Sequence, residues 1–191
     1  MAPPAYGRLT EIPEGPLGAL ATLRMMADMI RDPDPGLLDF VEGLRQRAEA
    51  HGLTETETAR WLFDWTRQRF VYVEDADDRR GGEQWVTEVT GHPAVEEVIQ
   101  NPGASYAQML THGQARGDCD DYVVWLGALY YWLGFPVALV AVATHPDRQL
   151  DHVYLRVEVD GRWQGADAIP EAAGIFGWEP PEITARVEWQ V

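Results

Sequence analysis

The chain predicts an α+β fold, and three observations carry that reading. Amphipathic helical patterns fill the first third, an almost wholly apolar helix carries the only cysteine, and alternating strands joined by a tight hairpin come after it. Apolar residues make up 46% of the 191, with eight tryptophans among them, so the chain can bury a real core. We read residues 1–53 as an irregular and helical extension and residues 54–191 as the main domain, the two forming a single compact unit.

The first 18 residues are rich in Pro and Gly, carry Glu11 and Glu14, and lack the basic-then-apolar order of a secretion signal. Residues 17–31 repeat apolar side chains at helical spacing through Leu20, Leu23, Met26 and Ile30. Asp32-Pro33-Asp34-Pro35-Gly36 breaks that helix, and a second runs over residues 37–51 to a stop at Gly52. Thr54 and Glu57 form a capping-box pattern that opens a third helix through Trp61, Leu62 and Trp65. Phe70-Val71-Tyr72-Val73 reads as a short strand and residues 74–91 as a charged surface loop. Residues 93–100 and 105–111 read as short helices separated by Asn101-Pro102-Gly103.

Residues 118–133 form the central helix, apolar nearly all round and therefore expected to be buried. The uncharged run over residues 122–143 is long enough for a membrane span, but Gly134-Phe135-Pro136 divides it into a helix and a buried strand at residues 137–144. No membrane association is expected. Residues 152–159 alternate, with Val153, Leu155, Val157 and Val159 on one face. Asp160-Gly161 is a two-residue hairpin signal that returns the chain through residues 162–167.

That hairpin brings chemistry together. A turn at Asp160-Gly161 pairs Val159 with Arg162, so Tyr154 faces Asp167 and His152 faces Ile169. His152 and Asp167 then emerge on the same face as diagonal neighbours. Cys119 lies where the buried helix begins, and a helix N-terminus favours thiolate over thiol. A thiol nucleophile needs a base and a group to orient that base, and His152 and Asp167 are the candidates for those roles. For the oxyanion, the Cys119 backbone N–H is one candidate donor, and a side-chain donor should come from upstream of it. His51, His92, His112 and His145 have no comparable partners.

Gly117-Asp118-Cys119-Asp120-Asp121 opening a hydrophobic helix, Leu133-Gly134-Phe135-Pro136 closing it, and Asp151-His152-Val153-Tyr154 beginning a strand resemble the transglutaminase-like superfamily of papain-type cysteine enzymes. So do Trp163-Gln164-Gly165-Ala166-Asp167 after the hairpin and Phe176-Gly177-Trp178-Glu179-Pro180 near the end. The similarity covers residues 54–181 and is strongest to small bacterial and bacteriophage members. It implies a papain/transglutaminase-like fold, with the cysteine helix packed on an antiparallel sheet, and a Cys119–His152–Asp167 triad acting on an amide bond through a thioester. It also implies a peptide or protein substrate. Gln100 resembles the Gln that precedes the motif in phage members, which makes it the candidate side-chain oxyanion donor, with Gln114 as its rival. Where the family commonly has Pro after the acidic residue, this chain has Ala168.

Composition bounds the alternatives. A formal charge of −16, from 15 basic against 31 acidic residues, disfavours nucleic acid as a ligand. Asp118, Asp120 and Asp121 lack the spacing of a calcium hand, so neither metal nor cofactor is expected. A single cysteine fits a reducing cytoplasm. The competing reading is a bacteriophage virion structural or assembly protein, virion-associated and contacting other phage proteins, that uses the same fold with or without activity.

Overall fold

The apolar helix expected at residues 118–133 is the axis around which the other elements are arranged. The computed structural model describes residues 7–9, 16–32, 34–73, 98–144, 150–167, 174–181 and 183–191. In chain order the elements are β1 (Gly7–Leu9), α1 (Pro16–Arg31), α2 (Pro35–Ala50), α3 (Glu55–Arg69), β2 (Phe70–Tyr72) and β3 (Val98–Gln100). Then come α4 (Pro102–His112), β4 (Ala115–Gly117), α5 (Cys119–Leu133), β5 (Val137–Ala143), β6 (His152–Val159), β7 (Arg162–Ala166) and β8 (Ala185–Gln190).

Local chemistry starts and stops the helices as the sequence predicts. Asp34 caps α2 by accepting from the Leu37 N–H, and the Thr54–Glu57 capping box opens α3 with both reciprocal bonds in place. Gly134, at φ 95°, ends α5 in the left-handed conformation that glycine adopts without a Cβ penalty. Arg45 of α2 reaches across to the orphan carbonyls at that end, bonding Trp132 O at 2.9 Å and Leu133 O at 3.3 Å.

Four strands form an antiparallel sheet in the order β7-β6-β5-β8. The β6–β7 register runs from Val159↔Arg162 to Leu155↔Ala166, as a two-residue turn at Asp160-Gly161 requires. Both turn residues have positive φ, 50° and 71°, the signature of a type I′ turn that suits the twist of the strands. The far end of the hairpin is tied to α3, where Thr56 Oγ1 donates to Asp160 Oδ2 at 2.6 Å.

One apolar core joins α1, α2, α3 and α5 to the sheet through Leu23, Ile30, Leu44, Phe63, Leu126 and Leu155. Gly127 sets the closeness of that packing. A Cβ there would fall 2.7 Å from Ile30 Cδ1 and 3.4 Å from Leu155 Cδ1, so its absence lets α1, α5 and β6 converge. Tyr130 Oη donates to Ala59 O at 2.8 Å and Trp132 Nε1 to Ile30 O at 3.0 Å, which satisfies two aromatic donors on this packed helix.

The structure departs from the sequence reading at its short strands. Residues 98–100, expected to end a helix, form β3 and pair antiparallel with β1. Val98 and Ile99 are β-branched, and pairing with a distant strand overrides a helical pattern this short. β4 pairs parallel with β2, and β8 forms the sheet edge beside β5. The expected loop over residues 74–91, residues 93–97 of the expected helix, His92, His145, Ala168 and Ile169 lie outside the described residues. No described helix is long and apolar enough to cross a membrane.

Candidate active site

The turn before α5 is built from groups that hold the chain in one conformation. Asp118 is the N-cap, its Oδ1 accepting from the Asp120 N–H at 3.3 Å, and Cys119 follows as the first helical residue, half-buried. Gly117 is fixed by crowding. The Asp121 carboxylate occupies the space that a Cβ at position 117 would need.

Asp121 is 3% exposed, and its two oxygens accept from Gln100, Oδ1 from the backbone N–H at 2.7 Å and Oδ2 from Nε2 at 2.8 Å. The second Gln100 amide hydrogen goes to Arg116 O at 2.8 Å. Gln108 Nε2 donates to Gln100 Oε1 at 2.7 Å, and Gln108 Oε1 accepts from the Arg116 N–H at 2.9 Å. This buried network ties β3, α4 and β4 to the first turn of α5. Both carboxamide hydrogens of Gln100, the side-chain oxyanion candidate, are engaged within this network. Gln114 is exposed. Sequence reasoning missed Gln108 and the bracing role of Asp121, because their partners are set by tertiary packing.

Asp120 behaves differently from its neighbour. It is 6% exposed, and its Oδ1 has no hydrogen-bond partner. Burial, then the nearby charges of Asp118, Asp121 and Cys119, raise its carboxyl well above the usual carboxylate range. Asp120 therefore holds its proton where an exposed aspartate has lost it, which lessens the negative charge opposing a thiolate at Cys119. Oxygens of Asp118, Asp120 and Asp121 lie within 4.8 Å of one another, a spacing one hard cation could bridge, although both Asp121 oxygens are already engaged by Gln100.

His152 and Asp167 meet as the hairpin register predicts. Their Nε2 and Oδ2 atoms are 2.8 Å apart, and the side chains are 8% and 1% exposed. The carboxylate thus holds the imidazole through Nε2, and Nδ1 is the ring nitrogen left to act on a neighbour. Tyr122 relates this pair to α5. It lies three residues after Cys119 and so on the same side of the helix. Burial raises the pKa of its phenol far above the ordinary range; Arg67 opposes that shift, and the Asp167 and Asp64 carboxylates add to it. The Tyr122 phenol is therefore within electrostatic reach of Asp167.

Comparison with known proteins shows a fold relationship only. No family model matches the chain, and no curated protein matches it significantly. Among solved structures, a proposed protease from Parabacteroides distasonis superposes with a TM-score of 0.51 at 16% identity over 80% of this chain. A proposed cysteine protease from Cytophaga hutchinsonii matches 84% of the chain at 13% identity with a TM-score of 0.39. The chain spans about a quarter of the length of the first protein, 26%, and 53% of the second. The mixed helical and antiparallel architecture is similar to that of the Parabacteroides protein.

Proposed function

We propose that the chain is a cysteine-dependent amide-bond enzyme of the papain/transglutaminase type, with Cys119 as nucleophile, His152 as base and Asp167 as the group that orients it. The observation that carries the reading is the 2.8 Å His152–Asp167 contact between two nearly inaccessible side chains, on a strand pair beside the helix that Cys119 begins. A buried carboxylate bonded to one ring nitrogen fixes the tautomer and stabilises the imidazolium, the state that pairs with a thiolate.

The reaction proceeds in two stages. The Cys119 sulfur adds to the carbonyl carbon of a peptide or protein amide, and the oxygen takes the negative charge, facing the backbone N–H at the start of α5. Collapse breaks the C–N bond as the His152 imidazolium gives its proton to the leaving amine, and a thioester remains on Cys119. Water or a second amine, deprotonated by His152, then attacks the thioester and regenerates the thiol. Water makes the enzyme a protease or amidase; an amine makes it a transamidase. The description of the Parabacteroides protein as a proposed protease is in keeping with the first outcome.

An electrophilic peptide probe that reacts only with an activated thiol tests this. Wild type is expected to be labelled, and Cys119→Ala and His152→Ala to remain unlabelled. Equal labelling of wild type and His152→Ala would overturn the enzymatic reading in favour of a virion assembly role.

A further inference from the structure

Beyond the three residues of the proposed triad, the face of the sheet that carries His152 holds a second, larger assembly. Tyr154 follows His152 by two residues on β6, so the two rings project from the same face. Their centroids are 6.3 Å apart and their planes 15° from parallel. Tyr154 is fully buried, packed with Val140 and Val142 of β5 and against Ile183. Its hydroxyl donates to Glu179 Oε2 at 2.8 Å. Glu179 belongs to the segment at residues 174–181 that crosses this face, and it is also held by one arginine from β6 and one from β8. Arg156 Nε of β6 donates to its Oε1 at 3.0 Å, and Arg186 of β8 lies 3.4 Å from its Oε2. Both arginines also meet Glu188, at 3.6 Å and 2.6 Å.

The crossing segment is seated by backbone as well. The Gly177 N–H donates to Gly165 O at 2.7 Å, and the Trp178 carbonyl lies where a Cβ on Gly165 would stand, so only glycine at position 165 admits this approach. Tyr154 is therefore pinned at both ends, by packing around its ring and by Glu179 at its hydroxyl. Burial and the Glu179 carboxylate keep that phenol protonated far above the ordinary tyrosine range, so the hydrogen bond persists through any pH at which a thiol enzyme would work.

We infer that Tyr154 and Glu179 are positioning residues for His152: Glu179 fixes the Tyr154 ring, and that ring forms the wall against which the imidazole is held with Nε2 on Asp167 and Nδ1 directed outward. This rests on His152 serving as the base of Cys119. Without the wall the imidazole gains freedom about its side-chain torsions, and the fraction of time it is aligned for the thiol falls. The charged and titratable groups facing this pair are Asp167 from the end of β7, Arg156 from β6, Glu179 from the crossing segment, and Arg186 and Glu188 from β8; from α5, Tyr122 lies within electrostatic reach of Asp167.

The test is the pH dependence of Cys119 alkylation by iodoacetamide in the full chain, for wild type, His152→Ala, Tyr154→Phe and Glu179→Gln, with melting temperatures taken alongside. Tyr154→Phe keeps the ring and removes only the bond to Glu179. It is expected to move the alkylation midpoint upward by about half a unit to one unit, a loss of about three- to tenfold in thiolate at acidic pH. Glu179→Gln should shift it the same way. A folded Tyr154→Phe with the wild-type midpoint would overturn the inference whatever Glu179→Gln does, provided His152→Ala does shift. If His152→Ala itself keeps the wild-type midpoint, the base assignment fails and the inference fails with it. A purely structural role would lower the melting temperature and leave the midpoint in place.

Discussion

Odd- and even-numbered residues of β6 face opposite sides of one sheet and meet opposite chemistry. Val153, Leu155, Val157 and Val159 join the main apolar core, with Leu155 packed at Gly127 of α5. His152, Tyr154 and Arg156 meet Asp167, Glu179, Glu188 and the aromatic face of Trp163. A strand's period of two allows this division between the apolar core and the proposed catalytic groups. The odd face is apolar, and the even face carries the charged and titratable side chains.

Damage to the odd face gives the largest expected effect on stability. Leu155→Ala removes a fully buried side chain between α5 and the sheet, and should cost about 2–5 kcal/mol in chemical denaturation. The folded fraction should keep the wild-type pH midpoint for Cys119 alkylation. A shifted midpoint in that variant would show that the two faces are coupled and would break the comparison.

How much of this could be read from the sequence follows the same division by range. The hairpin turn, the β6–β7 register and the meeting of His152 with Asp167 were legible, because Asp160-Gly161 fixes them locally. The N-cap of the cysteine helix and its glycine stop were legible for the same reason. Of the three-residue strands, β2 was legible in Phe70-Val71-Tyr72-Val73, whereas β1, β3 and β4 were not, since each is stabilised by a partner far away, as Val98 is by Leu9. β8 did carry a signal, the alternation of Arg186, Val187, Glu188 and Trp189, although only its pairing with β5 makes it a strand. Gln100 shows the limit most clearly. A sequence reveals that a carboxamide is available, but the bonds to Asp121, Arg116 and Gln108 that engage it depend on three different elements.

A smaller effect sharpens the contrast from the α5 side. Asp120 has its pKa raised in the folded chain, so the unfolded chain releases that proton first as pH rises, and folding becomes less favourable above the ordinary carboxylate range near about pH 4. The stabilisation that accompanies the retained proton is complete below that range and is lost as pH rises through the folded value. Asp120→Asn keeps the shape without the proton. Its melting temperature should exceed that of wild type at pH 8, and the difference should shrink toward zero as pH falls below 4. A melting temperature below wild type at every pH would contradict the protonated assignment.

The central claim, that His152 activates Cys119 under the control of Asp167, is tested most directly by alkylation rates across pH 5–9. An ordinary thiol titrates near about 8.5. Wild type is predicted to react with a midpoint roughly one to two units lower. His152→Ala should return to the profile of a simple thiol, and Asp167→Asn should fall between the two, because it loosens the imidazole without removing it. Superimposed profiles for wild type and His152→Ala would contradict the account.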